Sequence, residues 1–201
     1  AVAIVCKESG VVRARFGIAG RDADGSLGII YTRTGRPFFG ERAIEQQMLA
    51  RVRDAAAAAG LWEELQSDWM CLDCELMPWS AKAQALIREQ YAAVGAAAVA
   101  GLTGSVRALE AAHGRYCWNV ASVDDLRLAP FHLLASEGKV HSDRDHLWHM
   151  GTLARLAAAG DTLLMATPFV SVDLSSQASE DAATAWWTEL TAKGGEGMVV
   201  K

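Results

Sequence analysis

Strand-like and helix-like segments follow one another irregularly along this chain, and their order constrains the fold more than any other feature. Helical spacing of apolar residues predicts helices over 41–59, 146–156 and 178–192. Short apolar runs predict strands at 1–6, 27–31, 68–76, 116–120, 131–134 and 198–201. The run 162–172 predicts a strand pair, or one long strand interrupted at Pro168. Because strands follow one another with helices grouped between them, the order predicts an α+β domain with a mostly antiparallel sheet. One domain is expected over 1–201, with an Ala-rich helical insert at about 81–115.

Composition excludes several classes of protein. A net charge of −5 over 201 residues argues against a broad surface that coats nucleic acid, although a local basic groove is compatible with it. No apolar run reaches the roughly 18 residues that span a bilayer, so no membrane contact is expected. Four cysteines are too few for a dense disulfide framework, and we therefore expect a reducing, cytoplasmic location.

The hexapeptide Glu196-Gly197-Met198-Val199-Val200-Lys201 closes the sequence with an acid and a base. In a strand, Glu196 would share one face with Met198 and Val200, and Lys201 would share the other with Val199. Gly197 would let the backbone approach a ligand closely. An edge strand with solvated ends is the plain alternative.

Two carboxylates, Asp73 and Glu75, stand two residues apart in a predicted strand and would therefore point to one face. Burying both without a partner would be costly, and a Mg²⁺ ion, a ribose hydroxyl or an arginine would offset that cost. The alternative is that Asp73 is simply solvated.

An arginine and an aromatic residue complete the candidate site. Arg33 stands where a predicted strand meets the turn Thr34–Pro37, and its guanidinium suits phosphate or ribose. Phe131 follows Pro130 in a predicted strand, where its ring could stack on a purine. A surface arginine and a core aromatic are the corresponding alternatives.

Taken in order, these motifs resemble those of ATP-dependent DNA and RNA ligases and mRNA capping enzymes, the covalent nucleotidyltransferases. Four of the six usual motifs are present: Thr32-Arg33-Thr34-Gly35, Asp73-Cys74-Glu75-Leu76, Phe131-His132-Leu133-Leu134 and the closing hexapeptide. The runs at 30–36, 73–83, 126–135, 146–150 and 186–195 are similar to one subfamily, the ligase module of bacterial polynucleotide kinase-phosphatase. The resemblance covers essentially the whole chain.

This resemblance implies a nucleotidyltransferase domain of ATP-grasp-like ligase type, incomplete at both ends. It also implies adenylyl transfer with ATP and Mg²⁺ (or Mn²⁺): a lysine takes AMP from ATP and passes it to a polynucleotide 5′-phosphate. Arg33 would contact ribose or phosphate, Phe131 would stack on adenine, and Glu75 would bind ribose or the metal. Glu196 would help hold the metal, and Lys201 would face the α-phosphate.

The implied partners are RNA ends with a 5′-phosphate and a 3′-hydroxyl. The kinase and phosphatase modules of the same polypeptide and an RNA 3′-terminal ribose methyltransferase are implied as well.

The sequence departs from the general ligase pattern in three places. His132 replaces the Asp that follows the aromatic residue, a replacement that the kinase-phosphatase subfamily shares. The lysine motif is expected immediately before the strand at 1–6, and the final K-x-K motif after Lys201. Lys7-Glu8-Ser9-Gly10 has the K-x-x-G form but follows that strand, so a solvated turn lysine is the expectation for Lys7.

Two metal-like patterns carry less weight. Cys71 and Cys74 stand three apart in a predicted strand, so their sulfurs would point to opposite faces and could not share one ion. His146 and His149 would share a helical face and could bind a metal with His141, but packing or RNA-facing roles are favoured.

Two other functions remain open at this point. A non-catalytic nucleotide- or RNA-end-binding module would keep the pocket without turnover, and this reading is favoured for a chain without the nucleophilic lysine. A capping-type guanylyltransferase would use GTP instead of ATP.

Overall fold

The computed structural model of the chain describes residues 1–18, 25–78, 118–193 and 198–201. The chain divides into two compact units, the first made of Ala1–Met77 and Val120–Thr167 and the second of Pro78–Asn119 and Pro168–Lys201. The predicted helical insert at about 81–115 lies outside the described residues.

A five-stranded sheet forms the first unit, in the spatial order β2-β1-β3-β4-β5. Its strands are β1 (Val2–Cys6), β2 (Gly28–Tyr31), β3 (Trp69–Met77), β4 (Arg127–Ser136) and β5 (Lys139–Val140). Each neighbouring pair is antiparallel. Together with the helices, this sheet confirms the predicted α+β class.

Helices lie between the strands and after them. The first unit contains α1 (Ser9–Phe16), α2 (Arg42–Ala58), α3 (Leu61–Leu65), a 3₁₀ helix (Val123–Asp125) and α4 (His146–Ala159). The second unit contains α5 (Gln177–Ala192). Among the described residues, no helix combines the length and the apolarity needed to cross a membrane.

The core lies on one face of the sheet. Alternate residues of β1 and β3 are fully buried there, including Ala3, Val5, Met70 and Leu72. Helix α2 contacts β1 and β2, and α4 contacts β4 and α2. Each large apolar side chain buried in this way contributes about 1.5–3 kcal/mol, so this face holds the sheet and both helices together and leaves the opposite face available for polar residues.

Two side chains of α2 bond to the outer edge of β2. Glu45 Oε1 accepts the Ile30 amide at 2.8 Å, and Gln46 Oε1 accepts the Leu27 amide at 2.7 Å. Gln46 also donates to the Gly28 carbonyl at 3.2 Å. An edge strand normally leaves such groups unpaired, so these bonds take the place of a sixth strand at this edge.

Three of the predicted strands are wrong. No strand is assigned at 118–120, the described part of 116–120, or at 162–172 and 198–201. The 162–172 segment makes one parallel bridge, between Leu128 and Leu164, and Pro168 follows soon after. Val199 and Val200 are exposed. An apolar β-branched run becomes a strand only where a neighbouring strand pairs with its backbone, and within the described ranges none pairs with 198–201.

Helices α1 and α3 do not follow from apolar spacing. Helix α1 contains Gly10, Val11 and Val12, which are weak helix formers. Its sequence signal is at the end, where Gly17 adopts φ 65° and its amide bonds to the Arg13 carbonyl. Gly60 follows the C-cap residue of α2 with a φ of 68°, and the same residue is the N-cap of α3. A single left-handed glycine therefore turns the chain from one helix into the next.

Replacing Glu45 tests the edge bonds of β2. Burial raises the pKa of Glu45 above its ordinary value of 4.5, although hydrogen bonds from Ile30 and Gln46 and the charge of Arg42 oppose the shift. A carboxyl group whose pKa is higher in the folded chain than in the unfolded chain contributes its full stability at pH values below the unfolded-state pKa. This contribution is lost as the pH rises through the folded-state pKa. Glu45→Gln keeps the acceptor oxygen but carries no charge. We therefore expect the variant to gain stability relative to wild type between pH 4 and pH 7, measured by urea unfolding.

Glu45→Leu is the matched control, because it fills similar space but leaves the Ile30 amide unpaired. We expect it to lose about 1–3 kcal/mol of unfolding free energy at pH 7. A Glu45→Gln variant whose difference from wild type is the same at pH 4 and pH 7 would contradict this account of the edge.

Candidate functional site

A tight turn after β2 carries Arg33 at its tip. The Gly35 amide donates to the Thr32 carbonyl at 2.9 Å, and the Thr32 amide donates to the Arg36 carbonyl at 2.8 Å. Gly35 has a φ of 79°, which a residue with a side chain adopts only with strain. The turn leaves the Arg33 side chain 67% exposed, as the predicted strand-to-turn corner requires.

The face of β3 opposite the core carries Asp73 and Glu75. Asp73 is half-buried and Glu75 is exposed, whereas Cys74 between them is buried. The prediction that both carboxylates share a face is therefore confirmed. In the sheet register, Val2 pairs with Tyr31 on one side and with Asp73 on the other, so the end of β2 lies one strand away from Asp73.

Arg33 and Asp73 form an ion pair across this distance. Arg33 Nη2 donates to Asp73 Oδ2 at 2.9 Å. An arginine was one of the three predicted partners for the two carboxylates. Because the Arg33 side chain is 67% exposed, the pair contributes only about 0–1 kcal/mol. Arg33 can therefore exchange Asp73 for a ligand phosphate or hydroxyl at little cost.

Asp73 retains one unused acceptor. Its Oδ1 is buried and has no hydrogen-bond partner, and its side chain is 14% exposed. A buried carboxylate oxygen normally has a donor or a cation beside it. The oxygen thus fits a further donor, such as a ribose hydroxyl, or a divalent cation held with Glu75.

Phe131 projects from a bulge in β4. Asp73 pairs with His132, but the next β3 residue, Cys74, pairs with Pro130, so the register passes over Phe131. Bulges of this kind redirect a side chain and are frequent beside functional sites. The Arg33 guanidinium lies 5.8 Å from the centre of the Phe131 ring, within the range of a cation–π contact. Arg33, Asp73 and Phe131 therefore lie together.

A group of rings continues from Phe131 into α4. The His132 ring centre is 5.7 Å from that of Phe131, 5.1 Å from that of His146 and 4.7 Å from that of His149. The predicted shared face of His146 and His149 is thus confirmed. Within the part of the chain that the structure describes, no three His, Cys, Asp or Glu residues are placed to hold a metal ion. The histidines pack on one another, as favoured from the sequence.

His141 lies at the far side of this group. It is buried and makes a 2.9 Å hydrogen bond between its Nε2 and the Ser136 hydroxyl. Burial, with the nearby His149 and Arg144, lowers the pKa of His141. Its neutral form is therefore favoured in the fold.

The cysteines of the C-x-x-C run lie on opposite faces, as predicted. Cys74 is fully buried on the core side, and Cys71 is half-buried on the other. Burial raises the pKa of both thiols. A thiol with a raised pKa is a poor nucleophile and a poor metal ligand at neutral pH, so these cysteines are structural.

The predicted site residues divide by position. Arg33, Glu75 and Phe131 lie in the first unit, at the ends of β2, β3 and the bulge of β4. Lys201 is exposed and belongs to the second unit. Glu196 lies outside the described residues. The roles of Glu196 and Lys201 stay predictions.

Lys7 lies at the other end of the sheet. Its amide donates to the Asp68 carbonyl at 2.8 Å, and its Nζ is 3.3 Å from Glu63 Oε1. Asp68 precedes Asp73 by five residues, which is roughly 17 Å along an antiparallel strand. The cavity beside Lys7, lined also by Glu8, Val11 and Asp68, measures about 140 Å³. Ligand sites of about 300–1,000 Å³ are usual, so this cavity is too small for a nucleotide.

Comparison with known proteins places the chain in a family. The family model described as PNKP adenylyltransferase domain, ligase domain matches residues 1–115 and 105–201. No curated protein matches the chain. The two matched stretches overlap within the predicted helical insert and together extend over the full sequence. The chain therefore belongs to the PNKP adenylyltransferase, or ligase, domain family.

Proposed function

We propose that this chain provides the ATP-binding surface of a polynucleotide ligase that acts in RNA end repair. The observation that carries the proposal is the convergence of Arg33, Asp73 and Phe131, which come from three segments far apart in sequence. An exposed cation, a carboxylate oxygen without a hydrogen-bond partner and an aromatic ring lie together there. These are the groups that a nucleotide's phosphate, ribose and base require.

The proposed roles follow from the chemistry of each side chain. Phe131 stacks on adenine, since its half-buried ring is presented by the bulge. Arg33 leaves Asp73 and binds the ribose or a phosphate, because its guanidinium is exposed and always charged. Glu75, exposed on the same face as Asp73, binds ribose or the divalent cation.

The proposed reaction has two transfers. A lysine Nζ bonds to the α-phosphorus of ATP as the bond to the β-phosphate oxygen breaks, and pyrophosphate leaves. An oxygen of an RNA 5′-phosphate then bonds to the same phosphorus and displaces the lysine. Charge builds up on phosphate oxygens in both transfers, and Arg33 and Lys201 are the cations proposed to stabilise it.

The attacking lysine is proposed to come from a segment that leads into β1. The Cys74 amide donates to the Ala1 carbonyl at 2.8 Å, so β1 begins beside Asp73 and Glu75. A lysine immediately before β1 would enter the end of the sheet where Arg33 and Phe131 lie. Lys7 is at the opposite end, which weighs against it as the nucleophile.

Glu75 and Glu196 are the proposed ligands of a divalent cation, Mg²⁺ or Mn²⁺. The unpartnered Oδ1 of Asp73 is a third oxygen donor on the same face as Glu75, and hard cations of this kind prefer oxygen ligands. When bound, the cation supplies positive charge at the phosphate oxygens.

The proposed setting follows from the family. The substrate ends are an RNA 5′-phosphate and a 3′-hydroxyl, and the kinase and phosphatase modules belong to the same polypeptide. An RNA 3′-terminal ribose methyltransferase is proposed as a partner, and the cytoplasm as the location.

The position of Lys7 favours a non-catalytic binding module as the alternative function of the 201 residues on their own. Since Lys7 is far from Arg33 and Phe131, the 201 residues would bind a nucleotide or an RNA end without forming the covalent intermediate. A capping-type guanylyltransferase would differ in its base preference.

Replacing Arg33 tests the nucleotide site. Arg33→Ala removes a cation proposed to bind ATP, and hydrogen bonds to charged groups contribute about 1.5–3 kcal/mol. We therefore expect ATP affinity, measured by calorimetry with Mg²⁺ present, to fall roughly 10- to 100-fold. Arg36→Ala is the matched control, because Arg36 is an exposed arginine of the same turn. Its affinity should stay within about threefold of wild type, which is well below the loss of one charged hydrogen bond.

Equal losses in the two arginine variants would show only that the turn is attractive to anions and would contradict the assignment. Titration with GTP in place of ATP tests the guanylyltransferase alternative, which requires the chain to bind GTP more tightly than ATP.

Covalent labelling tests the position of the nucleophile. The 201-residue chain, incubated with α-labelled ATP and Mg²⁺ and analysed by denaturing electrophoresis, should give no labelled band. The physical reason is that Lys7 lies beside Asp68, which is roughly 17 Å along the strand direction from Asp73. A band that disappears in Lys7→Ala would make Lys7 the nucleophile and overturn the proposed geometry.

A version extended upstream through a K-x-x-G motif should give the band. Glu75→Ala and Glu196→Ala should each abolish it there. Near-normal labelling in both variants would show that these carboxylates do not serve the reaction.

A further inference from the structure

The bulge that presents Phe131 lies between two places where the outer edge of β4 is paired. Strand β5 pairs with Ala135 and Ser136, and Leu164 forms a bridge with Leu128. Within the part of the chain that the structure describes, no strand pairs with the outer edge of Pro130–Leu133. Two side chains bond to this edge, one on each side of Phe131.

His149 bonds to the edge after Phe131. Its Nδ1 accepts the Leu133 amide at 3.3 Å, and this bond is buried. The His149 side chain is held in turn by α4, whose first turn is capped by Asp145: the Trp148 amide donates to Asp145 Oδ1 at 2.7 Å. The His149 ring also packs edge-on against His132, the residue next to Phe131. A rigid helix thus supplies the acceptor.

Thr167 bonds to the edge before Phe131. Its hydroxyl donates to the Pro130 carbonyl at 3.0 Å. Pro130 is the residue at which the register shifts, since it pairs with Cys74 while His132 pairs with Asp73. The bulge is therefore held by the His149 acceptor on one side and by the Thr167 donor on the other.

We propose that His149 and Thr167 are positioning residues, which hold the bulged segment Pro130–Leu133 and thereby present the Phe131 ring to the base of a bound nucleotide. This inference rests on the proposed nucleotide site. Neither residue was singled out from the sequence for this role. Both act through the backbone of β4, so their removal should change how the base is bound more than how the phosphates are bound.

Matched pairs of variants separate this role from general packing. His149→Asn places a carboxamide oxygen near the position of Nδ1 and keeps the acceptor, whereas His149→Gln places it near Nε2 and leaves the Leu133 amide unpaired. Thr167→Ser keeps the donor, and Thr167→Val removes it at nearly constant shape. Each pair differs in one hydrogen bond at similar volume.

The experiment measures the affinity of each variant of the 201-residue chain for ATP and for inorganic tripolyphosphate. His149→Gln and Thr167→Val should weaken ATP binding about fivefold, the size of one lost hydrogen bond. The same variants should leave tripolyphosphate binding within about twofold, because no phosphate contact is altered. His149→Asn and Thr167→Ser should resemble wild type for both ligands.

Three results would overturn the proposal. In the first, His149→Asn binds ATP as weakly as His149→Gln, which would make the ring and not its acceptor the important feature. In the second, ATP and tripolyphosphate affinities fall together, which would indicate general loss of structure. In the third, all four variants bind ATP as wild type does. If His149→Gln does not fold, the comparison of Thr167→Ser with Thr167→Val tests the proposal by itself.

Amide hydrogen exchange at Leu133 distinguishes failure of this inference from failure of the proposed function. If wild type does not bind ATP, the nucleotide site is wrong. Hydrogen exchange still tests the positioning role of His149. Faster exchange of the Leu133 amide in His149→Gln than in His149→Asn supports this role, and equal rates overturn it.

Discussion

Strand β3 pairs with β1 over 69–73 on one side and with β4 over 70–77 on the other, and its side chains alternate between two faces. On one face Met70, Leu72 and Cys74 are buried. On the other face Asp73 and Glu75 are held at fixed positions by a strand that cannot slip without exposing the core. The burial that stabilises the first unit therefore also fixes the positions of the two carboxylates in the sheet.

The interactions within the site are weak by comparison with this framework. The Arg33–Asp73 pair is largely exposed, and one oxygen of Asp73 has no hydrogen-bond partner. A rigid backbone with exchangeable side-chain contacts is suited to a ligand that brings its own hydroxyls and phosphates, because little has to be broken when it binds. The membership of the adenylyltransferase family agrees with such a site.

Much of the fold and part of the site follow from local sequence patterns. The short apolar run at 68–76 and the four-residue spacing along 41–59 predict β3 and α2, because a strand and an amphipathic helix place apolar residues at different intervals. The motif order predicts that Arg33, Glu75 and Phe131 belong to one site. The bulge at Phe131 does not follow from local pattern, since it depends on the register between β3 and β4. Likewise, the strand predictions for 162–172 and 198–201 are wrong because an apolar run does not determine whether another strand lies beside it to pair with its backbone.

The central claim is that the Phe131 ring stacks on the base of a bound adenine nucleotide. The most direct test is an NMR measurement of nuclear Overhauser effects between ATP and the chain with its phenylalanine rings selectively labelled. The account predicts cross-peaks from the adenine H2 and H8 protons to the Phe131 ring, assigned by their loss in Phe131→Leu. Cross-peaks to other phenylalanines that survive in Phe131→Leu, with none to Phe131, would contradict it.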